Sequence, residues 1–220
     1  MNAARPTRRG LVRPLLSRAE RVLRGETSVR DLWLVLACGM SYGLVMGCFG
    51  GRWLQLVYSA VKVPILLLAT VGLSLPSFFV LNTLLGLRDD FRAVVRAIVG
   101  AQAGLTVILV SLAPVTAFWY VSSTDYRAAI LFNGLMFGVA SFGAQVILRR
   151  SYGPLIARDP KHRILLRVWL IFYIFVGVQL GWVLRPFVGD PANPVEFFRA
   201  EAWDNAYVIV ARMFWEKVSG

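Results

Sequence analysis

Residues able to do chemistry are few in this chain, and they stand in the wrong places for it. All 12 acidic residues lie in terminal segments, in links or at the edges of apolar runs. A proton-coupled transporter or pump holds a carboxylate or histidine at membrane depth. No apolar run here offers one at its centre. The single histidine, His162, stands between Lys161 and Arg163 and reads as a solvated loop residue. With that as the one imidazole, Ser/His catalysis inside a membrane lacks its base. The two cysteines, Cys38 and Cys48, share one apolar run. About 15 Å of helical rise separates them, so they cannot pair with each other. They read as small packing residues. Cys/His metal spacing is absent, and so is a Gly-rich phosphate loop. The expectation is a non-enzyme with no catalytic, cofactor or metal residues.

What the apolar runs do hold is amides: Asn82, Gln102, Asn133, Gln145 and Gln179. An amide in hydrocarbon seeks a partner, and such interhelical bonds contribute about 0.6–2 kcal/mol each. Asn82, Gln102 and Gln145 fall toward the inner half of their runs, Asn133 and Gln179 toward the outer half. They read first as structural glue between helices. The alternative is a polar lining for a small channel or facilitator.

Glycines carry the other pattern. Gly39, Gly43, Gly47 and Gly51 recur every fourth residue in the first run, DLWLVLACGMSYGLVMGCFGG. On a helix they share one face and leave a nearly bare groove. Shorter copies stand at Gly100/Gly104, Gly134/Gly138 and Gly177/Gly181. Small residues at this spacing let helix backbones approach closely in a membrane. The groove reads as packing within one subunit or as a subunit interface.

These groups need elements to hold them. The chain has 220 residues, 57% of them hydrophobic and 16% charged, with mean hydropathy +0.62. That is too apolar for a soluble domain of this size. Five spans are expected, at about 32–51, 63–87, 92–114, 126–148 and 164–184. Residues 52–62, RWLQLVYSAVK, are too short and polar to cross and read as an interfacial helix. Gly153-Pro154 and Asp159-Pro160 read as turns in the link 149–163. The tail 188–220 opens with turn residues. It then places Trp203, Tyr207, Val210 and Phe214 on one apolar stripe.

The formal net charge of +12 would suggest nucleic acid in a soluble protein. Here the basic residues flank apolar runs, so orientation in the membrane explains them more simply. Residues 1–31 form a basic arm whose helix sets Arg18, Arg21 and Arg24 opposite Leu15, Leu16, Ala19, Val22 and Leu23. That pattern suits a surface of anionic lipid headgroups. No aromatic residue is interleaved with the arginines, which argues against a nucleic-acid arm. The arm is too long for an ordinary secretory leader, and no small-x-small site follows the first run. Of the 24 Lys and Arg, only Arg52, Lys62, Arg127, Arg185, Arg199, Arg212 and Lys217 fall outside if the N-terminus is inside. The positive-inside rule therefore gives an N-inside, C-outside chain in the inner (cytoplasmic) membrane.

A basic N-terminal region followed by five spans and an outside C-terminus resembles the layout of Yip1-type membrane proteins, across residues 14–187. The amphipathic tail departs from that layout. The resemblance implies a non-enzymatic membrane-organising protein and transfers no site residues. The reading is thus an all-α polytopic membrane protein of three parts: a cytoplasmic arm over 1–31, a five-span domain over 32–187 and an outer-side tail over 188–220. Its expected role is that of a scaffold or accessory subunit, working as a homo-oligomer or with partner membrane proteins.

Overall fold

The computed structural model describes residues 17–22, 24, 26, 28 and 31–198. Those residues form helices and turns, with no strand among them. Five α-helices follow one another: α1 Leu32–Gly47, α2 Trp53–Leu84, α3 Phe91–Ser122, α4 Tyr126–Arg158 and α5 Lys161–Val183. Residues 17–22 are also helical. Four of the five, α2 to α5, are long and apolar enough to cross a membrane, while α1 has 16 residues. At 1.5 Å per residue, α1 is about 24 Å long, against a hydrocarbon core of about 30 Å.

Two boundaries are set by glycine. After Gly47 the chain reverses through Phe49–Gly51, with φ of 77° at Gly50 and 69° at Gly51. Only glycine adopts such angles without strain. Gly51 therefore stands outside the helix and does not extend the face of Gly39, Gly43 and Gly47. At the end of α2, Gly86 has φ 77°. Its N–H donates to Thr83 O, and the Leu87 N–H donates to Asn82 O. This is a Schellman cap, which satisfies the last carbonyls of the helix. At the start of α4 the Asp125 carboxylate accepts from the backbone N–H of Arg127 and Ala128, the usual N-cap bonds.

Two expected breaks are absent. The segment 52–62 is not a separate interfacial helix. It is the first part of α2, which continues through Pro64 and Pro76. The helix survives Pro64 because α1 packs on it there, with Gly39 against the proline ring and Gly43 against Ala60. Likewise α4 runs through Gly153-Pro154 to Arg158. Tyr152 and Leu155 are buried against α3 and α5 in one apolar cluster, and that burial outweighs the bond lost at Pro154. Of the two turns expected in this link, only the one at Asp159-Pro160 is present. α3 also passes Pro114 and ends at Ser122.

α1 lies between α2 and α3. It runs antiparallel to α2, with Gly39 opposite Pro64 and Gly47 opposite Leu56. It runs parallel to α3, pairing Leu34 with Thr106 and Met46 with Tyr120. α4 packs on α3, and α5 lies mainly against α2. One apolar cluster, with Tyr42, Met46, Leu109 and Met136, fills the half toward Ser123. A second, with Phe78, Ile98, Leu148 and Trp169, fills the half toward Asp90. Ile171, Ile174, Phe175 and Val178 of α5 remain exposed, as do Leu131, Leu135 and Phe142 of α4.

Candidate functional site

The glycines divide into filled and open positions. A Cβ at Gly43 would lie 2.7 Å from Ala60 Cα, and one at Gly47 would lie 2.6 Å from Leu56 Cα. Those contacts are with backbone, which cannot swing aside. At Gly39 the neighbour is Pro64 at 3.4 Å. The face of α1 is thus occupied by α2 of the same chain. Gly104 is filled by the side chain of Ile147, with Val22 beside it, and Gly177 meets Thr70 at 3.4 Å. Gly100 is buried within α3. Gly134, Gly138 and Gly181 have nothing within 4 Å of an added Cβ.

The amides do not line up along one path. Asn133 is buried at the centre of a knot between α1, α3 and α4. Its Oδ1 accepts from the Tyr42 hydroxyl at 3.2 Å, and its Nδ2 donates to the Tyr120 hydroxyl at 2.6 Å. Tyr120 in turn donates to Met46 O at 3.2 Å, and Tyr42 lies 3.5 Å from the Thr116 hydroxyl. Gln102 accepts from the Tyr173 hydroxyl at 3.1 Å, tying α3 to α5. Gln145 and Ser141 share a void of about 20 Å³ with Gln102 and Tyr173, room for one water. Asn82 Nδ2 donates to Phe78 O within its own helix, while Gln179 is half-buried on α5. The spacing marked the amides, but it did not identify the tyrosines that receive them.

His162 is not a solvated loop residue. It is fully buried, and its Nε2 lies 3.2 Å from Asp90 Oδ2. The other oxygen of Asp90 accepts from Arg158 at 2.6 Å. One carboxylate therefore joins the turn before α3, the end of α4 and the start of α5. Nearby, His162 Nδ1, the Tyr152 hydroxyl and Asn82 Oδ1 are buried without a protein partner.

Arg18 is half-buried, Arg21 and Arg24 are exposed, and Val22 is buried in the core. The tail stripe of Trp203, Tyr207, Val210 and Phe214 lies outside the described residues.

A site that the sequence reading missed lies along α2. Gln55, Ser59 and Lys62 share one face, and all three are buried. They hold the chain that follows α5. Lys62 Nζ donates to Pro186 O at 2.9 Å, and Gln55 Nε2 donates to Phe187 O at 3.0 Å. Ser59 also donates to Phe187 O. Arg52 donates to Asp190 O and to Asn193 O. The Lys62 ammonium lies 4.9 Å from the Phe197 ring centroid, close enough for a cation–π contact. The spacing of four and three was the available signal, but the apolar residues around it read as an interface instead. Beside this segment is a cavity of about 400 Å³.

Among the described residues, no group of three His, Cys, Asp or Glu side chains is placed to hold a metal. Comparisons with known families, with curated proteins and with solved structures return no match.

Proposed function

We propose that this chain is a non-catalytic, multi-pass membrane scaffold or accessory subunit that packs against itself or against partner membrane proteins. In this reading α1 crosses together with α2 to α5. The N-terminus is inside and the C-terminus outside, in the inner (cytoplasmic) membrane. The basic residues exposed near Asp90, among them Arg92, Arg96, Arg149, Arg150 and Arg163, support that orientation. They and the arginines of the arm face anionic headgroups. The layout likeness to Yip1-type proteins leads to the same kind of role.

One observation carries the proposal. The glycines of α1 are filled by α2, yet Gly138 on the exposed side of α4 meets only open space. A bare position beside Leu135 and Phe142 suits the close approach of another helix. The channel alternative is weaker, because Asn133 and Gln102 are already bonded across helices and no amide path joins them.

The test is the size of the particle in mild detergent, with Gly138→Leu and Gly181→Leu as variants. An oligomer or a co-purifying membrane protein, lost in Gly138→Leu while the chain stays folded, supports the proposal. A wild-type monomer without partners, unchanged by either substitution, contradicts it.

A further inference from the structure

The cavity follows from a mismatch in helix length. Gly177 of α5 packs on Thr70 of α2. From that contact α5 has about 9 Å left before Val183, while α2 has about 25 Å left before Trp53. α5 therefore stops about 16 Å short of the end that α2 reaches. The chain continues without helical bonds, and non-helical backbone at such depth needs donors from the protein. Lys62, Ser59 and Gln55 supply them, which draws residues 186–187 onto α2. The space that α5 would have filled is left between α4, α2 and this segment.

That space measures about 400 Å³ and is walled mainly by Met46, Leu66, Ile130, Phe137, Phe187 and Val188. A void of this size is foreign to a close-packed interior, and it lies in the range of sites that hold small ligands. Its wall includes Ile130, 45% exposed, and the open Gly134, so it can be entered sideways from lipid. Arg185 is the charged side chain in the wall, its guanidinium 3.4 Å from the Trp182 ring centroid. Asn133, the other strongly polar wall residue, is taken up by Tyr42 and Tyr120.

We propose that this cavity holds one acyl chain of an anionic phospholipid from the adjoining leaflet, with Arg185 facing its phosphate. The apolar wall selects a hydrocarbon chain over a free anion. The guanidinium favours a headgroup of net negative charge, since Arg pairs readily with phosphate. The proposal rests on the membrane reading but not on the oligomer.

The experiment places the full chain in nanodiscs of equal phosphatidylglycerol and phosphatidylcholine, then counts retained phospholipid by native mass spectrometry. Wild type is expected to keep one phosphatidylglycerol. Ile130→Trp fills the cavity and should cut retention about tenfold, equivalent to 1.4 kcal/mol. Arg185→Gln should erase the preference between the two lipids. Thermal unfolding is measured for each variant. Should Ile130→Trp not fold, Gly134→Leu replaces it, because open space awaits its side chain. Ile171→Ala changes an exposed side chain of α5 outside the cavity wall and should leave retention unchanged. The proposal is overturned if wild type keeps no phospholipid, if the filled cavity retains as much, or if only the Ile171 variant loses it. Particle size, read in the same spectra, reports separately on the scaffold reading.

Discussion

The imidazole Nε2 of His162 lies 3.2 Å from Oδ2 of Asp90, across 72 residues of chain. The histidine is fully buried, whereas the side chain of Arg158, on the other oxygen, is 72% exposed. The two bonds therefore differ in worth. An exposed ion pair contributes about 0–1 kcal/mol, while a shielded bond to a charged group contributes about 1.5–3 kcal/mol.

Asp90→Ala should consequently destabilise the chain by about 1.5–3 kcal/mol, and Arg158→Ala by less than about 1 kcal/mol. For a chain of this size, each kcal/mol corresponds to a fall in Tm of about 2–4 °C. Thermal unfolding in detergent reads both. Equal losses would mean that His162 contributes nothing to the clasp.

Gly43→Leu and Gly47→Leu force a side chain into the backbone of α2. Overpacking usually costs about 1–3 kcal/mol, and here the neighbours at 2.7 and 2.6 Å are Cα atoms. Each substitution should therefore lower the yield of folded monomer. Leu44→Ala, on an exposed position of the same helix, should cost much less. If the glycine variants fold normally but change oligomer size, α1 faces a neighbouring subunit instead.

Lys62→Met removes the charged donor to Pro186 O and leaves that carbonyl only the longer bond from Gln55 Nε2, at 3.3 Å. Such a loss costs about 1–3 kcal/mol. The segment 185–193 should then be cut faster by added protease than in wild type. Lys217→Met changes a charge elsewhere in the chain and serves as the control. Identical digestion of all three proteins would show that α2 does not hold this segment.

How much of this was legible depended on whether a local rule decided it. The spacing of Gly39, Gly43 and Gly47 is a helical period, so their common face follows from the sequence. Gly51 shares that spacing but belongs to a turn with positive φ, which the period alone does not reveal. Pro64 and Pro154 read as breaks by local rules. Both lie within helices because packing on α1, and burial of Tyr152 and Leu155, outweigh one lost bond. His162 looked solvated between two basic neighbours. Its burial depends on Asp90, which only the folded chain brings near. The cavity depends on where α5 ends relative to α2, a register that no single segment encodes.

The most direct test of the whole account is the side of the membrane on which α1 begins. With Cys38 and Cys48 changed to Ser, single cysteines at Glu20→Cys, Asp89→Cys and Ser123→Cys are treated with an impermeant thiol reagent in intact cells and in inverted vesicles. The account predicts that Ser123→Cys reacts in intact cells, while Glu20→Cys and Asp89→Cys react only in inverted vesicles. Reaction of Glu20→Cys in intact cells together with Ser123→Cys would show that α1 does not cross, and the five-pass arrangement would be wrong.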